Sequence, residues 1–451
     1  MGNVDVSARD SDERTPLHYA SEMNNHQVAT LLLSRSEVDV NARDRKRMTP
    51  LHYASEKNAH EVADLLLSRS EIDATARNHR AETSLYLASQ NNSCEVAALL
   101  LSRDDVDANA RDEKQKTPLH WASENNSCEV AALLLSRSDV DANALDENQS
   151  TPLHWASSKN AREVATLLLS RDDIDVNPRN GAQQTPLHLA SLKNSHEIAA
   201  LFLSRSDVDA NSRDENQRTP LHLTSWNNAR EVAALLLSRD DIDADARDCD
   251  RATPLHLTFM KNSHEIAALL LSRDEIDVNA RDEKQKTPLH LASMKNSHKI
   301  AALLLSRNDV DANALDEKQN TPLHWASWNN AREVAILLLS RDEIDVNARD
   351  GAQQTPLHRA CLKNSQEIAS LLLSRNDVDA NARAKNHETP LHLASSSNAH
   401  ETVALLLSRG DVDEDARDSG GKTALDFAVK AGAMRCEELL RRGGRSDRPS
   451  E

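Results

Sequence analysis

One period governs this sequence. A segment of the form T-P-L-H-x-A-S recurs every 34 residues, its leading threonine at Thr15, Thr49, Thr83, Thr117, Thr151, Thr185, Thr219, Thr253, Thr287, Thr321, Thr355, Thr389 and Thr423. Thr117–Ser123 leading into the V-A-A-L-L-L-S-R run of Val130–Arg137 is a clean copy. Self-similarity at a fixed period of about 20–50 residues marks stacked units that bury their apolar faces only against neighbours. A chain of 451 residues would otherwise suggest several globular domains, but a stack needs no single large core. Aromatic residues make up only 2% of the chain, so the packing must come from Leu, Ala, Val and Ile.

Each copy spells two short helices. Thr117 can cap the first, with Pro118 at its first helical position, where no amide hydrogen is needed. Leu119 and Ala122 lie three apart and face inward. Nine residues after the threonine stands an asparagine, Asn24 through Asn126 to Asn398, with Gly432 in the last copy. Both residue types tolerate the left-handed conformation that ends a helix. Changing Asn228 to Val should therefore cost about 1–2 kcal/mol, while the same change at Lys261 should be nearly neutral. The second helix, Glu129–Ser136 in the clean copy, presents Val130, Leu133 and Leu134 to its neighbours.

The T-P-L-H-x-A motif, the following Leu-Leu run and the V-N-A hairpin together resemble the ankyrin repeat family across essentially the whole chain. The resemblance implies an all-α fold, an ankyrin-repeat solenoid of stacked helix-turn-helix units with short hairpin loops. Residues 1–442 are expected to form the array of about thirteen repeats, with Thr423–Arg442 as its C-terminal cap. Residues 443–451, G-G-R-S-D-R-P-S-E, are expected to be a disordered polar tail. The array begins mid-repeat, because residues 4–14 match the second half of a hairpin such as Val38–Met48. The repeat is one residue longer than the family's usual unit, which widens the hairpin turn. The family also implies non-catalytic protein binding through the concave helix face and hairpin tips, and a histidine that bridges neighbouring backbones. In some relatives hairpin asparagines are hydroxylated. Asn109, Asn143, Asn279, Asn313 and Asn347 hold the matching position.

Charge and motifs narrow the classes further. A net charge of −18 argues against nucleic acid and against an anionic membrane surface, and favours a neutral or basic protein partner. The five cysteines, Cys94, Cys128, Cys249, Cys361 and Cys436, are scattered over five repeats beyond disulfide reach, which points to a reducing, intracellular compartment, cytoplasmic or nuclear. No apolar run reaches membrane-spanning length and no signal peptide opens the chain. Met1-Gly2 is followed by Val6, where a myristoylation motif wants Ser or Thr. The histidines of T-P-L-H stand one repeat apart, too far to share a metal. The His-Glu pairs at His60, His196, His264 and His400 lack the second histidine of H-E-x-x-H. The Asp-rich hairpin at Asp241, Asp243, Asp245 and Asp248 lacks the glycine and glutamate of a calcium loop. No catalytic residue, metal or cofactor is expected, and the chain reads as a monomer.

A second period lies inside the first. D-E-K-Q-K-T-P-L at 112–119 recurs at 282–289, and G-A-Q-Q-T-P-L-H at 181–188 recurs at 351–358, both offset by 170 residues, or five repeats. The differences between the two blocks fall four, seven and eight residues after the threonine. Trp121, Glu124 and Asn125 answer Leu291, Met294 and Lys295; Ser158 and Lys159 answer Trp328 and Asn329; Leu189 answers Arg359. Tyr19, Tyr53, Trp121, Trp155, Trp325 and Phe427 sit at position four, and Trp226, Met260, Met294 and Trp328 at position seven. In ankyrin repeats these positions line the concave face, and Trp and Tyr dominate interface hot spots. The competing reading is that the position-four aromatics pack sideways on adjacent helices. Position seven is the more exposed in the family pattern, so Trp226 and Trp328 are the sharper candidates.

The expected partner-binding set is Trp121, Glu124, Trp155, Lys159, Trp226, Met260, Met294, Trp325, Trp328 and Arg359. Trp121 with Trp155, and Trp325 with Trp328, would form two anchors about 40–50 Å apart along the stack, as in a scaffold that holds two partners or one extended partner. Two alternatives stand beside the scaffold: a substrate adaptor of a signalling or ubiquitin-ligase assembly, and a mechanical linker without a fixed client.

Overall fold

The computed structural model describes residues 5–443; the expected polar tail, apart from Gly443, lies outside them. Twenty-six helices, and no strand, are present among the described residues. Each repeat contributes two, as in Pro118–Asn125 and Cys128–Leu135. The chain divides into two compact units. The first runs to Thr224 and takes in Glu231–Ile242; the second comprises Ser225–Arg230 and the chain from Asp243 onward.

Leu119, Ala122, Val130, Ala131 and Leu134 are completely buried, whereas Leu133 is half-buried. Full burial of a leucine contributes about 2 kcal/mol, and small alanines let the helices approach closely. The first helix of the clean copy begins at its threonine in extended backbone (Thr117 ψ 167°) and ends at the left-handed Asn126; in every copy a left-handed residue stands nine after the threonine, before the second helix. All twelve of the Asn residues from Asn24 to Asn398 have φ between 49° and 60°, and Gly432 has 67°. The turn assignment is therefore correct.

Three side chains tie successive repeats together. The Thr117 backbone N–H donates to His120 Nδ1 at 3.1 Å, which leaves Nε2 to donate to the carbonyl of Ser150 in the next repeat at 3.0 Å. The same arrangement recurs at His290, which donates to Asn320. Asn109 donates from Nδ2 to the Asp139 carbonyl at 2.7 Å and accepts from the Asp141 N–H at 2.9 Å. Asn143, Asn279, Asn313 and Asn347 do the same, so both ends of each amide are committed to the next hairpin. The arginine of L-L-L-S-R reaches backwards. Arg137 Nη1 donates to the Leu101 carbonyl at 2.7 Å, while its Nη2 pairs with Asp139 at 2.7 Å.

One first helix breaks the pattern. Pro254–Leu257 has only four residues. Beyond it, Thr258 and Met260 donate to carbonyls three residues back, Leu255 and Leu257. Phe259 occupies a slot that holds Ser in most copies, and it is buried. A phenyl ring in a space sized for a hydroxymethyl group pushes the last turn out of α geometry.

Candidate partner-binding face

The site is built from the hairpin tip upwards. In the Thr117 repeat, Asp112 Oδ1 accepts the N–H groups of Lys114 and Lys116, each at 2.8 Å, and so folds the tip around Gln115, whose φ is 59°. Its other oxygen faces the first helix, within reach of position four. Trp121 Nε1 donates to Asp112 at 3.2 Å, Trp155 to Asp146 at 2.9 Å and Trp325 to Asp316 at 2.9 Å. Tyr53 donates to Asp44 at 2.8 Å, and Arg359 Nε to Asp350 at 2.8 Å. These carboxylates are buried, so each needs a donor. The position-four aromatics accordingly pack and hydrogen-bond within the repeat. A buried Asp nine residues before an aromatic was the signal for this pairing, and sequence reasoning passed it over.

In the first unit, Trp121, Glu124, Trp155 and Lys159 come together around a residue that sequence reasoning missed. Lys116 is buried between two indoles, its Nζ 4.2 Å from the Trp121 ring centre and 3.5 Å from that of Trp155. The same ammonium donates to Glu124 Oε2 at 2.6 Å, and Lys159 reaches Glu124 Oε1 at 3.3 Å. On the other side Trp121 meets the buried Tyr86 ring at 4.9 Å. The cation, the carboxylate and the indoles satisfy one another.

The corresponding set in the second unit is not closed. Lys286 stands where Lys116 does and is equally buried, at 8% exposure against 5%. Leu291 and Met294 replace Trp121 and Glu124. Lys286 Nζ keeps one indole, Trp325 at 5.5 Å, and has no carboxylate partner among the described residues. Trp328 is half-buried beneath two cations, with Arg359 at 4.9 Å and Lys363 Nζ at 3.9 Å from its ring centre. Trp325 is likewise half-buried, so the fourth and seventh positions are not told apart in this repeat. Trp226, at 38%, is exposed, as is Met260 at 48%; Met294 is half-buried.

Local charge on this face differs from the total. From Met260 to Lys363 the seventh positions are Met260, Met294, Trp328 and Leu362, and the eighth are Lys261, Lys295, Asn329 and Lys363. None is acidic. Lys261 and Lys295 are exposed and form no ion pair among the described residues. The hairpin carboxylates, such as the exposed Asp274, Glu275 and Asp277 after His264–Leu271, stand at the far end of the second helix, whereas Glu265, Glu333 and Glu367 in the first turns of the second helices are engaged by His264, Asn296 and Arg332. Eight helical residues span about 12 Å, longer than the screening length of about 8 Å at physiological ionic strength. The acidic loops therefore do not neutralise the lysine row.

A family model for ankyrin repeats, built of three copies, matches the chain at residues 2–78, 85–180, 173–248, 206–282, 240–316, 275–350, 306–384 and 357–447. No curated protein matches it. Among the described residues no helix is long and apolar enough to cross a membrane.

Proposed function

The chain belongs to the ankyrin repeat family, and from that premise we propose that it is a non-catalytic scaffold that binds a protein partner along the outer end of its first helices. Ankyrin repeats generally mediate protein–protein interaction. We read the chain as one array of about thirteen repeats closed by Thr423–Arg442, working inside the cell as a monomer. The observation that carries the docking face is the row of apolar seventh positions flanked by unpaired lysines in the second unit, with Met260 48% exposed. A row of partly exposed apolar residues marks an interaction site, and an indole set among cations is hot-spot chemistry.

Of the two anchors, the second is the better supported. Trp121, Trp155, Glu124 and Lys159 already satisfy one another through Lys116. Trp328, Met294 and Met260 form the working face, Trp325 and Arg359 support it from Asp316 and Asp350, and Trp226 extends it as an exposed indole. The test is a pull-down from lysate with the wild-type chain beside the Trp325→Ala/Trp328→Ala double variant. Specific proteins should be captured by the first and lost from the second. Capture unchanged by the loss of both indoles would exclude this face, and would favour either the hairpin tips or a linker without a fixed client.

A further inference from the structure

The two blocks carry the same buried lysine in two different states, and the difference identifies what the second block lacks. In the first block the Lys116 ammonium has an internal carboxylate, Glu124, at 2.6 Å. In the second block Met294 stands at the position of Glu124, and Lys286 is left buried with no carboxylate partner among the described residues. On balance the charge around it becomes more positive. Asn125 becomes Lys295, Leu189 becomes Arg359, Lys159 becomes Asn329, and Lys193 is retained as Lys363. One anion is exchanged for Met294 and two cations are gained against one lost, while Met294, Trp328 and Leu362 supply apolar surface at the seventh positions.

We propose that this ridge binds an acidic segment of a partner protein, in which carboxylates flank an apolar side chain. The partner's carboxylates pair with the exposed Lys295 and Lys363, which have no anion of their own among the described residues, in the field of Lys286, which lacks the internal carboxylate that Glu124 gives Lys116. The apolar side chain lies on Met294, Trp328 and Leu362. Arg359 is already engaged, because Asp350 accepts its guanidinium at 2.8 Å from Nε, so it positions the Trp328 ring and does not meet the ligand's charge. An anion brought near cations that have no internal counter-ion is attracted, and that complementarity gives specificity and a faster on-rate. A basic segment would meet only like charge on this row. The acidic total of the chain would not exclude the acidic occupant, because the acidic hairpins lie about 12 Å away along the second helices, beyond the screening length of about 8 Å, and the nearer Glu265, Glu333 and Glu367 already meet His264, Asn296 and Arg332.

This inference rests on the docking face proposed above, and its test separates the two. Random peptides displayed on phage are selected against the full-length chain, and synthetic copies of the winners are then titrated by Trp fluorescence. Titrations are run against wild type, Met294→Glu, Met294→Lys and the Trp328→Ala/Leu362→Ala double variant, each first shown by circular dichroism to keep its helix content. The winners should carry Asp or Glu beside an apolar residue. They should bind Met294→Glu about tenfold more weakly, because the variant restores the internal anion, and should bind Met294→Lys at least as tightly as wild type. Neutral or basic winners that are weakened only by loss of Trp328 and Leu362 would overturn the acidic occupant and leave the docking face standing. Winners of any charge that bind all four proteins equally, or no enrichment at all, would overturn both.

Discussion

The repeats headed by Thr117 and Thr151 and those headed by Thr287 and Thr321 are five units apart, and they share one skeleton. Both carry the tip aspartate that accepts two backbone N–H groups and an indole, Asp146 with Trp155 and Asp316 with Trp325. Both carry the histidine that ties one repeat to the next. They differ in what surrounds a single lysine. Around Lys116 the side chains close into two indoles and a carboxylate; around Lys286 only one indole remains. An internal ion pair stabilises the fold and leaves nothing to recognise. The same position without its anion stabilises less and can recognise something. Duplication thus supplied a second copy in which a packing cluster could open into a surface.

The largest expected effect tests what the two regions have in common. Burial pushes His120 and His154 in one region, and His290 in the other, down to about 4, with His52 and His358 alike. Their unfolded value is 6.5. A group whose folded pKa lies below its unfolded one gives stability that is complete above the unfolded value and is lost as pH falls towards the folded one. The window here is therefore pH 6.5 down to about 4. Each such histidine withdraws on the order of 3 kcal/mol across it, and five together reach the upper end of the stability of an ordinary domain, about 5–15 kcal/mol. Helical circular dichroism and Trp fluorescence should collapse together between pH 6 and pH 4.5. Ellipticity that stays flat through that window would break the assignment of the Nε2–H tautomer and the shared skeleton with it.

The next effect separates the regions. Glu124→Gln leaves Lys116 buried without an anion and should lower stability by about 2–3 kcal/mol, below the full cost of breaking a buried pair because the Glu124 side chain is 18% exposed. Met294→Gln, at the same place in the other block, should move the urea midpoint by an amount equivalent to about 0.5 kcal/mol or less. Equal losses would mean that the two lysines do not differ in the way their surroundings indicate.

Much of this was legible in the residues. The 34-residue period gives the paired helices, and the asparagine nine residues after each threonine gives the left-handed turn, because few other side chains tolerate it. The duplicated block also drew attention to the right positions, Glu124 against Met294 and Ser158 against Trp328. What could not be read was which neighbour each side chain turns to. Trp121, Trp155 and Trp325 read equally as docking or as packing residues, and the N–H groups that Asp112, Asp146 and Asp316 accept favour packing. That pairing arises across the fold, between a hairpin and a helix nine residues on, and hydrophobic periodicity does not record it. Net charge, for a related reason, does not describe any one face: it sums over loops and ridges whose local balance differs. The second left-handed series, from Glu13 and Arg47 through Gln319 to Gly421, was also missed, because most of its members are residues that seldom adopt that conformation.

That second series provides the smallest test and the sharpest control. Gln149 and Gln319 hold the tips of the two compared regions at φ 58° and 61°. Around each, the tip aspartate accepts from the residues on either side: Asp146 from Asn148 at 2.9 Å and Ser150 at 2.8 Å, Asp316 from Lys318 at 2.9 Å and Asn320 at 2.8 Å. The left-handed conformation costs a residue with a Cβ roughly 1–2 kcal/mol, whereas glycine escapes that strain and loses part of the gain through a freer unfolded chain. Gly421 already occupies the equivalent tip in the last repeat, at φ 75° and with open space where a Cβ would lie. Gln149→Gly and Gln319→Gly should each therefore raise stability by about 0.5 kcal/mol, read as equal shifts of the urea midpoint. Equality would place the whole difference between the two regions in the side chains around Lys116 and Lys286. A gain at one tip and a loss at the other would place it in the backbone, and the open ridge would then be a consequence of a distorted hairpin and not of the exchange of Glu124 for Met294.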